Sequence, residues 1–169
     1  GVGTSMGCGT LLHAAAAQPG RCAGLTLLLP PTAWESRAAQ AQDYLASAEL
    51  VEREGIEPFI EAGRAAPQPP ATIGRPETVP EISADLLPSV LRGAAASDLP
   101  DLGALTRIDV PVRILAWIDD RSHPLSTARG LAGALPQARL TVATTRDDVA
   151  GWPALLHRDV LQVGTEPTR

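Results

Sequence analysis

The densest chemical signal lies in the opening residues. Gly3-Thr4-Ser5-Met6-Gly7 fits the pattern G-x-S-x-G and runs directly into a helix-like stretch. Such a pattern suits a very tight strand-to-helix turn, in which the serine takes a strained backbone conformation and glycines two residues to either side avoid clashing with it. The turn lifts the hydroxyl clear and aims it at the head of the helix, where the Met6 amide and the helix dipole can stabilise a developing oxyanion. The chemistry is nucleophilic attack on a carbonyl carbon. Two other readings stand beside it. Ser5 can simply cap a Gly-rich helix entry. Alternatively Gly1, Gly3 and Gly7 form a phosphate-binding loop, which needs an acidic residue at the end of the next strand; that strand ends Leu29-Pro30-Pro31, with no acid before Glu35.

These residues need elements to hold them. Residues 5–18 read as a helix with Leu11, Leu12 and four consecutive alanines, stopped by Pro19-Gly20. Residues 24–29 are a continuous apolar run closed by Pro30-Pro31, the signature of a buried parallel strand. Residues 35–53 are helical, with Ala38, Ala41, Leu45, Ala48 and Val51 on one face. A brief helix over 59–65 precedes a proline-heavy stretch (Pro67, Pro69, Pro70, Pro76, Pro80) that excludes regular structure, and a short helix over 82–92 carries Leu86, Leu87, Val90 and Leu91. Strand and helix then alternate to the end: strand 112–117, helix 126–135, strand 140–143 and a terminal helix 152–163. The stripe of that last helix is Trp152, Leu155, Leu156, Val160 and Val163, with His157 pointing away from it.

A strand, a helix and a further strand in succession require a parallel sheet, so the fold class is α/β. The expected core is residues 1–31 and 108–169, with 32–107 a helical insertion. The motif has no lead-in, so further N-terminal strands are expected ahead of Gly1. Alone, the 169 residues would leave an unpaired apolar sheet edge and be prone to aggregate.

Composition narrows the function. Hydrophobic residues make up 44% and charged residues 20%, a globular balance. The net charge of −5 argues against nucleic acid, which demands a basic face. No apolar run approaches the ~20 residues that span a bilayer. All 14 basic residues are Arg, the mark of a GC-rich, bacterial coding bias. Cys8 and Cys22 make neither a disulfide framework nor a metal site and read as small buried hydrophobes in a reducing cytoplasm. No cofactor or metal motif appears. The expected partner is a small acyl substrate, and a homodimer is left open.

The elbow around Ser5, the strand and loop Val112-Arg-Ile-Leu-Ala-Trp-Ile-Asp-Asp-Arg-Ser-His-Pro124, and Leu135-Pro-Gln-Ala-Arg-Leu140 leading into the last strand resemble the C-terminal part of an α/β-hydrolase-fold protein of the small bacterial esterase and lactonase type. The resemblance implies a Ser-His-Asp triad on a parallel sheet with helices on both faces. It makes Asp120, four residues before Pro124, the acid, with Asp119 its neighbour, and residues 32–107 a cap that sets substrate range. It also places a histidine in the loop after the last strand, where this chain reads Thr144-Thr-Arg-Asp-Asp148 instead. His13 and His157 lie in helices. The candidate base is therefore His123, held by Asp119 or Asp120 of its own loop. Against that stand a loop histidine positioned by Pro124, a turn carboxylate at Asp120, and a hydrolase fold used for ligand binding or structure with its triad incomplete.

Overall fold

A computed structural model describes residues 1–76 and 80–165, the side chains of 163–165 excepted. Four strands, β1 (Val2–Thr4), β2 (Leu25–Leu28), β3 (Val112–Trp117) and β4 (Ala138–Ala143), form one sheet in the order β1-β2-β3-β4. All three pairings are parallel, with Thr4 opposite Leu28 and Leu28 opposite Leu115. Each strand therefore ends at the same edge of the sheet.

The helices are α1 (Met6–Ala17), α2 (Arg37–Glu54), α3 (Glu57–Ala65), α4 (Leu87–Ala95), α5 (Leu102–Leu105), α6 (Leu125–Ala134), α7 (Arg146–Ala150) and α8 (Trp152–Thr165). Side chains of a strand alternate between faces, and β3 sorts the helices accordingly. Arg113, Leu115 and Trp117 face α8: Arg113 forms a two-pronged ion pair with Asp159 at 2.8 Å, while Leu115 and Trp117 pack with Trp152, Leu155 and Leu156. Val112, Ile114 and Ala116 are buried on the opposite face, where α6 lies across β3 and β4. Helices on both faces explain why β3 is apolar nearly throughout.

Contacts divide the chain into two units. The sheet unit comprises Gly1–Thr32, Pro69–Ile73 and Leu99–Arg169; the helical unit comprises Ala33–Gln68 and Gly74–Asp98. The helical unit has its own core of Ala48, Val51, Leu87 and Leu91, with Tyr44, Ile56, Phe59 and Ile82 against it.

The elements follow the sequence pattern with four instructive departures. The expected stripe of α2 is buried only in its second half: Ala48 and Val51 are buried, but Ala38 and Leu45 are exposed, and Arg37 is 6% exposed. Arg37 tolerates burial because its guanidinium donates to the carbonyls of Ser97 and Ala94 and lies over the Tyr44 ring. Helix α4 starts at Leu87 rather than residue 82 because Pro88 lacks an amide proton and is accommodated only in a first turn. The proline-rich stretch includes one 3-10 turn, Pro70–Thr72, whose Ala71 is fully buried in the Leu115–Trp152 cluster; residues 77–79 lie outside the described set. The apolar stripe of α8 stops short, Val160 being 64% exposed on an open cleft of about 410 Å³ at the opposite end of the strands from Ser5. Val163 lies outside the described side chains.

Candidate active site

Ser5 occupies the junction between β1 and α1 with φ 51° and ψ −119°. A non-glycine residue with positive φ is held there by its surroundings, at a cost of about 1–3 kcal/mol. Its amide donates to the Leu28 carbonyl at 2.9 Å, extending the β1–β2 ladder by one rung, and its carbonyl accepts from the Cys8 amide at 2.9 Å. Gly3 makes the turn possible: a Cβ there would lie 2.5 Å from the Gly7 carbonyl oxygen. Gly7 has open space around its missing side chain, so the expectation that both glycines avoid clashes holds for Gly3 alone. Beneath the turn the Cys8 thiol lies 3.3 Å from the carbonyl oxygens of Gly3 and Leu28. Burial pushes that thiol up to about 12 despite these contacts, so Cys8 is a packing residue, as its sequence context suggested. Cys22 is half-buried.

The second half of the site is the loop after β3. Because strands β1, β2 and β3 end at one edge of the sheet, this loop emerges beside Ser5 although 118 positions separate Ser5 from His123. Asp119 takes the left-handed conformation (φ 60°) and points into solvent, which turns the chain so that Asp120 faces inward. Asp120 Oδ1 accepts from the amides of Ser122 (2.9 Å) and His123 (3.1 Å), an Asx turn that folds the loop back on its own carboxylate. The Ser122 carbonyl in turn accepts from the Thr32 amide at 3.0 Å.

The side chains then meet in series. Asp120 Oδ2 lies 2.9 Å from His123 Nδ1, and His123 Nε2 lies 2.9 Å from Ser5 Oγ. A carboxylate can only accept, so Nδ1 carries the ring proton and Nε2 presents its lone pair to the Ser5 hydroxyl. Trp117 Nε1 also donates to Asp120 Oδ2, at 2.6 Å. Burial alone would push the Asp120 carboxyl up; the hydrogen bond and charge of His123, the Trp117 indole and the His123 amide outweigh it and hold the group at about 2. An ionised acid, a histidine in a fixed tautomer and a hydroxyl at the head of a helix are the parts that acyl transfer uses.

Of the two aspartates considered for the histidine, Asp120 is the one that touches it. His13 and His157 are exposed on α1 and α8. Met6 is the first residue of α1 and directly follows Ser5. After β4, in the place of the histidine that the resemblance implied, Asp148 accepts from the amides and hydroxyls of both Thr144 and Thr145 and closes the start of α7 as a capping box. The Trp117 contact was not anticipated, although the spacing Trp117-x-x-Asp120 at a strand end is a local signal for it.

No protein-family model and no curated protein matches the chain. Solved structures do. MenH from S. aureus superposes with a TM-score of 0.75 at 20% identity, over 97% of this chain and 68% of that one. The enol-lactonase from Burkholderia xenovorans LB400 gives a TM-score of 0.73 at 18% identity, over 98% of this chain and 65% of that one. MGS-M2, an alpha/beta hydrolase enzyme from a Medee basin deep-sea metagenome library, gives 0.59 at 14% identity, over 99% and 65%. The chain thus spans 65–68% of the length of these neighbours. Its sequentially ordered parallel sheet, with helices on both faces and a tight turn at the head of α1, is the α/β-hydrolase fold.

Proposed function

We propose that this chain carries the catalytic array of a serine hydrolase acting on an ester, thioester or lactone carbonyl. Ser5 is the nucleophile, His123 the general base, Asp120 the residue that orients the imidazole and stabilises the imidazolium that forms, and the Met6 amide a donor to the oxyanion. In the first step Ser5 Oγ bonds to the carbonyl carbon as His123 Nε2 takes the hydroxyl proton. The tetrahedral oxyanion collapses as His123 returns that proton to the leaving alcohol, thiol or lactone oxygen. Water, activated by the same imidazole, then releases the acid. By its place between β2 and β3, the helical unit is the insertion that selects the acyl group.

The observation that carries this reading is the unbroken series Ser5 Oγ, His123 Nε2, His123 Nδ1, Asp120 Oδ2 with both contacts at 2.9 Å. A serine left without such a base stays protonated and weakly nucleophilic. Fluorophosphonate labelling of the full chain is the test. Covalent modification at Ser5, abolished in Ser5→Ala, is expected. A chain that stays unlabelled where a control esterase reacts would return the fold to a ligand-binding role.

A further inference from the structure

We propose that Trp117 is a positioning residue of this site, its indole N–H holding the Asp120 carboxylate in the orientation that presents Oδ2 to His123. The inference rests on Ser5 acting as the nucleophile.

The geometry separates two kinds of support for Asp120. Oδ1 is held by the amides of Ser122 and His123, which belong to the same loop and move with it. Oδ2 is held by His123, also of that loop, and by Trp117 at 2.6 Å. Trp117 is the last residue of β3, paired with Ala143 of β4, so among these four donors it alone belongs to the sheet. Each carboxylate oxygen offers two lone-pair directions. Four donors, two on each oxygen, match that number.

The donor is itself immobilised. Its ring stacks on Trp152 with centroids 6.0 Å apart and planes 19° apart, inside the cluster built on Leu115, Ala143 and Val149. Stacking alone does not require the indole N–H. Trp152 illustrates this, because its Nε1 is buried with no hydrogen-bond partner among the described residues. Of the two stacked indoles, the one that reaches Asp120 makes a short charge-assisted bond. Among the groups acting on Asp120, His123 is the titratable one, and Trp117 adds a donor that does not change with pH.

Trp117→Phe keeps the ring and removes the N–H. In the full chain, fluorophosphonate labelling and kcat for p-nitrophenyl acetate are expected to fall roughly tenfold to a hundredfold, with KM within about twofold. The acid limb of kcat/KM is expected to move to higher pH, because a carboxylate deprived of a donor is more basic and holds the imidazolium more tightly. Wild-type labelling rate and an unmoved acid limb in Trp117→Phe, with Ser5→Ala unlabelled, overturn the role of Trp117 and leave the nucleophile standing. Labelling that survives Ser5→Ala overturns the nucleophile, and this inference with it. Where Trp117→Phe does not fold, the wild-type protein decides. Its Trp117 indole proton, assigned by elimination with Trp34→Phe and Trp152→Phe, is expected to exchange slowly and to shift as His123 titrates. Rapid, pH-independent exchange with solvent overturns the proposal.

Discussion

Asp120 and His123 are three residues apart and joined twice: the carboxylate accepts from the imidazole at 2.9 Å through Oδ2 and from the histidine's own amide at 3.1 Å through Oδ1. Carboxylate and imidazole thus form one local structural unit, closed by an Asx turn and ended by Pro124, the residue before α6. Three of the four donors that set their mutual geometry come from one loop, and the fourth, Trp117, comes from the end of β3. The other relationship the chemistry needs, to Ser5, depends on the sheet.

The histidines separate cleanly. If Ser5 and His123 are nucleophile and base, as proposed, His123→Ala is expected to lower kcat for p-nitrophenyl acetate by roughly 10³-fold or more, because such a pair acts as a unit. His157→Ala, an exposed position on α8, is expected to stay within about twofold of wild type. Equal rates in the two variants would remove histidine from the mechanism.

Asp120→Asn preserves shape and reverses the ring's hydrogen-bond logic, because an amide nitrogen facing Nδ1 favours the tautomer with its proton on Nε2. A loss of roughly 10³–10⁴-fold in kcat is expected, with KM little changed. A variant of near wild-type rate would show that the carboxylate does not set the tautomer.

Acid stability carries the signature of the same group. The folded-state carboxyl sits at about 2, below the ordinary 3.8. A depressed carboxylate stabilises the fold fully above its unfolded value and loses that contribution as pH falls through the folded one. The window is therefore from about pH 4 down to about pH 2. Denaturation of Asp120→Asn across that window is expected to show a shallower pH dependence than wild type. Parallel curves would mean that Asp120 is not held low.

The two glycines of the motif have unequal tasks. Gly3→Ala forces a Cβ against the Gly7 carbonyl and should destabilise the sheet unit by about 1–3 kcal/mol, opening the turn that presents Ser5. Gly7→Ala enters open space on a helix and is expected to be neutral or stabilising by up to ~1 kcal/mol. Chemical denaturation of both variants checks the order, and a reversed order would contradict the assigned turn geometry.

Thiol reactivity should discriminate the cysteines. Cys8 is fully buried under the elbow with its thiol pushed up to about 12, whereas Cys22 is half-buried. Iodoacetamide at neutral pH is expected to modify Cys22 first and Cys8 only on unfolding, as read by peptide mass mapping. Early modification of Cys8 would mean that the elbow opens in the native state.

Much of the architecture is legible in the chain because it rests on neighbours. The tight turn at Ser5 needs a residue without a Cβ at Gly3, the strands are continuous apolar runs, and Asp120, His123 and Pro124 lie within five positions of one another. Those features are local, and local sterics and hydrogen bonding determine them. Pro88 shows the same rule where it was overlooked, since it alone sets the start of α4.

The tertiary structure decided what distance in the sequence conceals. Sheet register, with Thr4 level with Leu28 and Leu28 level with Leu115, brings the loop after β3 to Ser5 and so puts His123, rather than His13 or His157, against its hydroxyl. Packing decided that the Trp117 indole faces Asp120, that Arg37 rather than Ala38 is buried, and that Asp148 closes a helix where a histidine was expected. Residue types and spacing name the groups able to react; which of them touch follows from the order and register of parallel strands, a cooperative property of the whole sheet that no short stretch of sequence contains.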